Sequence, residues 1–197
     1  RNTRRASVSF NFLREGQSIQ TAYHILKRAL GSDYQKILAA EKTIPGRLKK
    51  IVDTIEDISG LEHFGAYLTL LFEVDALIAN EDRHLNNIAI LEENGKYHYC
   101  PLFDNGEGLM LDNVKYPFDV ETRGLMKHLR AKPFQCRFGT ILSAARDLYG
   151  AQLKIVCSAA EVSEIAEKYL DWYQPMFRPF LKERILDVVL LQMKKYF

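Results

Sequence analysis

Residues 64–79 read FGAYLTLLFEVDALIA, and wound as a helix they are apolar almost all the way round. Leu61, Phe64, Leu68, Leu71, Phe72 and Ile78 form one wide stripe, while Leu70, Val74 and Leu77 cover much of the opposite side. A helix with no polar face has to be wrapped by other elements, so this segment belongs at the centre of a domain. It is shorter than the roughly 20 residues a membrane span needs, and Glu73 and Asp75 interrupt it. Asp75, on an apolar face, is expected to hydrogen-bond the neighbouring loop.

The flanking segments carry the amphipathic pattern of helices that could do the wrapping. Ser18 or Thr21 can cap a helix bearing Tyr23, Ile25, Leu26 and Leu30, and Gly31 stops it. A second helix is expected from about Ser32-Asp33. Pro45-Gly46 is expected to break it before a third runs over residues 47–58, with Leu48, Ile51, Ile55 and Ile58 three and four apart. Gly60 ends that element. Further helices are expected over about 138–149, 162–173 and 179–196. Trp172, Tyr173, Pro175, Met176 and Phe177 make an aromatic kink between the last two, read as core packing, with an exposed docking patch as the alternative.

Behind the central segment the period changes. Ile88 and Ile90 alternate with Ala89 and Leu91, and EENGK supplies an Asn-Gly hairpin turn before YHYCPLFD. Asn105, Gly106, Gly108, Asn113 and Pro117 then mark a long loop. Near the start, Val8, Phe10 and Phe12 alternate at strand period, and Glu15-Gly16 makes a turn. The expected fold class is mainly α with a small β-hairpin embedded at its middle. With 197 residues, 47% of them hydrophobic, the chain can bury the core of one large domain or a compact pair.

Composition removes several functions. A net charge of +2, with Lys and Arg scattered among acids, gives no basic field for nucleic acid. Cys100, Cys136 and Cys157 are odd in number, widely spaced and without a CxxC pair, which argues against a disulfide framework or a zinc knuckle and fits a reducing cytoplasm. RNTRRASVSFNFL opens on basic and polar residues with no apolar signal core and no initiator Met, so a fragment or processed product is expected. Arg4, Arg5, Ala6 and Ser7 resemble a basophilic phosphorylation site, but a basic strand edge is the preferred reading.

The chemistry is concentrated around the hairpin. Asn80, Glu81, Asp82, Arg83 and His84 follow directly on the apolar segment, Asn87 is expected to begin the first strand, and Asp104 to end the second. A hairpin brings its two ends together, so Asp82, Asn87 and Asp104 are expected to converge. Hard oxygen donors of this kind suit Mg²⁺, which takes one or two protein groups and shares its shell with water and phosphates. A carboxylate not used as a ligand can accept the proton of an attacking hydroxyl. The interval from Asp82 to Asn87, with a later Asp before Gly106, matches the base and metal-ligand spacing of phosphoryl transfer. Asn86 competes with Asn87; the interval favours Asn87. His84 alone reads equally as a satisfied loop histidine or a site residue.

NEDRHLNNIAIL, the hairpin and PLFDNGEGL together resemble the HipA-like serine/threonine kinases, whose C-terminal lobe carries an Asn-x-Asp-x-His-x-x-Asn loop and a later Pro-x-x-Asp motif. VSFNFLREGQ is similar to the family's crossing from the N-terminal lobe, and AKPF at 131–134 to a stretch in its compact bacterial members. The Asp-Arg-His-x-x-Asn string also occurs in lipid kinases of the phosphatidylinositol type.

The resemblance implies a protein-kinase-like C-terminal lobe with the N-terminal lobe missing: 1–20 a hinge strand and remnant of the interlobe connection, 21–197 the helical lobe with a catalytic hairpin at 80–106. It implies ATP and Mg²⁺ as cofactors, Asp82 as general base, Asn87 and Asp104 as metal ligands, and His84 and Asn80 as braces of the loop. Phe12 and Arg83 are expected on the nucleotide, Arg83 at a phosphate. The family's Gly-rich loop and strand-borne Lys have no counterpart here. Expected partners are a protein substrate and an antitoxin or the missing lobe, with neither membrane nor nucleic acid. The alternatives are an inactive pseudokinase or toxin–antitoxin binding module, and a lipid or small-molecule kinase lobe.

Overall fold

A computed structural model describes residues 11–197 of the chain. The strand expected at Val8 and Phe10, and the Arg4–Ser7 motif, lie outside the described residues.

The N-terminal helices follow from their caps. Thr21 accepts a hydrogen bond from the His24 N–H, starting α1 (Ala22–Leu30), and Gly31 at φ 78° ends it. After α2 (Tyr34–Ala40), Thr43 accepts from the Gly46 N–H to start α3 (Ile44–Ser59). Pro45-Gly46 therefore opens a helix instead of breaking one. Proline is pre-set for the first turn, where no N–H is required, and the break falls at residues 41–43. Gly60, left-handed at φ 67°, closes α3 by donating its N–H to the Glu56 carbonyl.

α4 (Phe64–Ile78) occupies the centre, as its all-round apolarity demands, packed against α3, α6 (Phe138–Tyr149) and α8 (Arg178–Tyr196). Phe64, Leu68, Leu71, Phe72 and Ala76 are buried; each large side chain contributes about 1.5–3 kcal/mol relative to exposure. Glu73 is fully buried on the same helix. Its carboxylate accepts from Arg146 Nε at 2.7 Å and from the Gln152 and Leu153 N–H groups at 3.0 and 2.6 Å, which pins the end of α6 to the core.

One antiparallel sheet lies beside this body in the order β1 (Gln17–Thr21), β2 (Ala89–Glu93), β3 (Lys96–Tyr99). Asn94 (φ 53°) and Gly95 (φ 76°) make the expected hairpin turn. β1 extends the hairpin to three strands. Its residues, QSIQT, carry one apolar side chain and show no strand signal alone; they pair because β2 offers Glu92 and Glu93 to Ser18 and Gln17 and sets Leu91 opposite Ile19.

α5 (Thr122–Met126) and α7 (Ala159–Leu170) complete the helices. A Ser158–Glu161 capping box starts α7 three residues before the expected 162. At the aromatic kink, Phe177 meets the Phe118 ring, whereas Trp172 and Met176 are 82% and 68% exposed, so most of that cluster is surface and not core. α7 turns Ala166 and Leu170 inward toward Leu181 and leaves the kink outside. Among the described residues the three cysteines are free, and no helix is long and apolar enough to cross a membrane.

α4 and α6 meet closely at Gly65, where an added Cβ would sit 2.4 Å from the Tyr149 ring. Gly65→Ala is expected to cost about 1–3 kcal/mol by overpacking. A second change, Tyr149→Leu, is expected to recover part of it, read as midpoints of chemical denaturation.

Candidate active site

α4 ends because Ala79 turns left-handed (φ 55°), and the chain that follows is tied back onto the helix. The Asn80 N–H donates to the Asp75 carbonyl at 2.8 Å, and its side-chain amide donates to Asp75 Oδ1 at 2.7 Å. Asn80 Oδ1 then accepts from the Asp82 N–H at 3.1 Å. Asn80 is thus a buried brace of the loop, as expected, and Asp75 has the structural role read from sequence.

Arg83 is the correction to the expected set. It is 1% exposed, and its guanidinium is bidentate on Asp75, with Nε to Oδ2 and Nη2 to Oδ1 both at 2.9 Å. Nη1 donates to the Asn87 and Phe103 carbonyls at 2.9 and 2.8 Å, and Nη2 also donates to Asn105 Oδ1. A guanidinium has five N–H donors, and all five are committed. None remains for a phosphate. Burial pushes the Asp75 carboxyl above its ordinary value, against the pull of Arg83 and Asn80.

This guanidinium does what the hairpin was expected to do. β2 begins at Ala89, two residues after Asn87, and β3 ends at Tyr99, five before Asp104, so the strands themselves do not bring Asn87 and Asp104 together. Arg83 does, because the Asn87 and Phe103 carbonyls share one nitrogen and lie within two hydrogen-bond lengths of each other. Asp104 follows Phe103 in a left-handed conformation (φ 53°) and is exposed, with no ion pair or hydrogen bond to its carboxylate among the described residues.

The loop between is wound tightly around the Asp82 carbonyl, which accepts the His84 N–H at 2.7 Å and the Asn87 side-chain amide at 3.0 Å. With its amide nitrogen so fixed, Asn87 Oδ1 has no hydrogen-bond partner among the described residues. His84 Nδ1 accepts from the Asn86 N–H at 3.2 Å, which puts the proton of the neutral ring on Nε2, 3.7 Å from Asp82 Oδ2. Asn86 contributes this backbone donor. Phe12 is 38% exposed with its ring centroid 6.1 Å from that of Phe103, which places it beside the Asp104 loop.

Several residues of the site were not singled out from sequence. Lys132 Nζ lies 2.5 Å from Asp82 Oδ1. Glu81, next door, accepts from the Tyr116 hydroxyl, from Lys115 Nζ at 3.0 Å and from the Arg130 N–H at 2.6 Å. Burial alone would raise the Glu81 carboxyl, but these three donors and the Lys115 charge hold it below its usual value. The lowered value is a stability term present above the ordinary Glu range and lost as pH falls through the folded value. Neutral pH therefore keeps Lys115, Tyr116 and the Arg130 backbone clamped to the loop. AKPF contained Lys132, and the polar cluster contained Glu81; Lys132 pairs with Asp82 at a separation of 50 and Glu81 with Tyr116 and Arg130 at 35 and 49, which leaves no local trace.

The donor set can be tested against Mg²⁺. Among the described residues no group of three or more His, Cys, Asp or Glu is placed to hold a metal, which argues against a cage made by protein alone. Asn87 Oδ1 and the Asp104 carboxylate, both uncommitted and on segments joined by Arg83, fit the sparser mode in which phosphates and water complete the shell. Comparison with protein-family models, curated proteins and solved structures finds no match to this chain.

Removing the guanidinium strands a buried carboxylate and frees residues 103–105. Arg83→Met is expected to cost about 3–5 kcal/mol in urea denaturation. Faster amide exchange at Asp104 and Asn105 should accompany the loss.

Proposed function

We propose that this chain is the C-terminal lobe of a phosphotransferase of the HipA-like protein kinase type, moving the γ-phosphoryl group of ATP to a hydroxyl of a protein substrate. The reading is supported by one observation above the rest: Arg83, through a buried ion pair with the central helix, gathers the Asp82–Asn87 loop and residues 103–105 into one place. That juxtaposition is what the resemblance of NEDRHLNN and PLFDNG requires.

In this proposal Asp82 orients the acceptor hydroxyl and takes its proton as the oxygen bonds to the γ-phosphorus, while the bond from that phosphorus to the β–γ bridging oxygen breaks and ADP leaves. Mg²⁺ bound with ATP would neutralise charge on the β- and γ-phosphates. Asn87 and Asp104 would hold it, and the Nδ2 bond of Asn87 to the Asp82 carbonyl fixes the plane of its amide. Asn80 and His84 set the backbone and flank of Asp82. Phe12 packs by Phe103 on the nucleotide side. The phosphate-covering loop and its Lys would come from the N-terminal lobe, and an antitoxin is a further candidate partner.

The test is label transfer from γ-³²P-ATP to protein by the full-length protein with Mg²⁺. Asp82→Asn is expected to lower transfer by about 10²–10⁴-fold with nucleotide affinity nearly unchanged. Asp104→Asn is expected to weaken Mg-ATP binding instead. Equal and small effects of both changes contradict the assigned roles.

A further inference from the structure

Phosphoryl transfer spreads negative charge over three equatorial oxygens, and a cation placed there stabilises it where water cannot. The loop's own arginine is excluded, because Arg83 is sealed in the interior with every donor spent. Lys115 is taken by Glu81 and Glu107. The guanidinium of Arg130 is folded back on the Lys127 and Leu129 carbonyls. Lys132 is different. Its side chain is 35% exposed, its ammonium has three N–H donors, and Asp82 Oδ1 is the one acceptor it meets among the described residues.

The scaffold under Lys132 is built for placement. Ala131 pairs with Cys136 in an isolated antiparallel bridge, with N···O distances of 2.6 and 3.3 Å, and Leu129 and Ala131 are buried in the main core. On the other side, the Arg130 N–H is held by Glu81. Two successive residues of the catalytic loop thus grip two positions of the 130–132 segment: Glu81 takes its backbone, and Asp82 takes its ammonium. A lysine whose backbone is anchored on both sides, and whose head group already touches the general base, stands within two hydrogen-bond lengths of any atom that the same carboxylate oxygen contacts.

We propose that Lys132 is a catalytic residue of this site: while bonded to Asp82, its ammonium donates a second hydrogen bond to an oxygen of the phosphoryl group in flight. The proposal rests on the kinase reading and adds a cation from the AKPF stretch, to which the resemblance assigned no role. No bond to Lys132 forms or breaks. It keeps its proton throughout, stabilises charge on the transferring group and holds the Asp82 carboxylate toward the acceptor hydroxyl. A cation that acts on the transition state lowers kcat when removed and leaves the ground-state affinity for nucleotide nearly intact.

The experiment measures steady-state transfer from ATP with Mg²⁺, on the full-length protein, for wild type, Lys132→Met, Lys132→Arg and Asp82→Asn. Binding of a fluorescent ATP analogue with Mg²⁺ is followed in parallel. Lys132→Met is expected to lower kcat by about 10²–10³-fold, the loss seen when one preorganised donor is removed from a developing oxyanion. KM for ATP should stay within about threefold, because that donor acts after binding. Lys132→Arg, which keeps the charge but changes its geometry, should recover at least about tenfold of the loss. The variants should melt with the wild type, since half-exposed ion pairs add little to stability. Wild-type transfer with an unchanged kcat in Lys132→Met overturns the role of Lys132 and leaves the kinase reading standing. So does a loss that Lys132→Arg does not relieve, which marks a structural contact. A wild-type protein that binds the analogue but labels no acceptor overturns both.

Discussion

The ion pair between Arg83 and Asp75 is the constraint on which the site depends. Two opposite charges buried beside the central helix are costly to desolvate and become tolerable only when every donor and acceptor is used. The protein meets that condition by folding polar backbone around the guanidinium: the Asn87 carbonyl, the Phe103 carbonyl and Asn105. Satisfying one arginine therefore fixes the relative position of two segments about twenty residues apart. Asn80 extends the same logic to Asp82, by joining the carboxylate of Asp75 to the backbone that carries the Asp82 side chain.

Around this buried knot the site is layered by exposure. Arg83, Asn80 and Asp75 are sealed, Asn87 is nearly so, and Asp82, His84 and Lys132 stand partly open. Such a gradient suits chemistry in which rigid groups position a few exposed ones, with the reacting charge meeting side chains whose orientation is settled beforehand. The Glu81 clamp adds the third wall, because Tyr116 and the Arg130 N–H attach the 112–132 segment to the loop directly. In the kinase reading that segment borders the acceptor hydroxyl.

Local physics made much of the fold legible. The all-round apolarity of α4, the caps at Thr21 and Gly60 and the Asn-Gly turn of the hairpin each act within a few residues, and each was read with little error. β1 overlaps the end of the expected 1–20 hinge strand but has no strand pattern of its own, because QSIQT draws its stability from Glu92 and Glu93 across the sheet. Pro45 was misread because proline both ends and begins helices, and the Thr43 cap decided which. At the site, the positions of Asn80, Asp82 and Asn87 were legible from spacing. Arg83, between Asp82 and His84 in a polar loop, looks like an anion receptor until its burial is known. Lys132 and Glu81 pair with residues far along the chain, and only the folded chain brings them into view.

The central claim is that the Asp82–Asn87 loop and residues 103–105 share one divalent-cation and nucleotide site. Paramagnetic broadening tests it without any turnover: Mn²⁺ with ADP is titrated into the ¹⁵N-labelled full-length protein and the amide signals are followed. The account predicts that Asn87 and Asp104 broaden together at the lowest Mn²⁺ additions, and that Asp104→Asn weakens the effect at both. Broadening centred on another surface, or at one of the two segments alone, would contradict it.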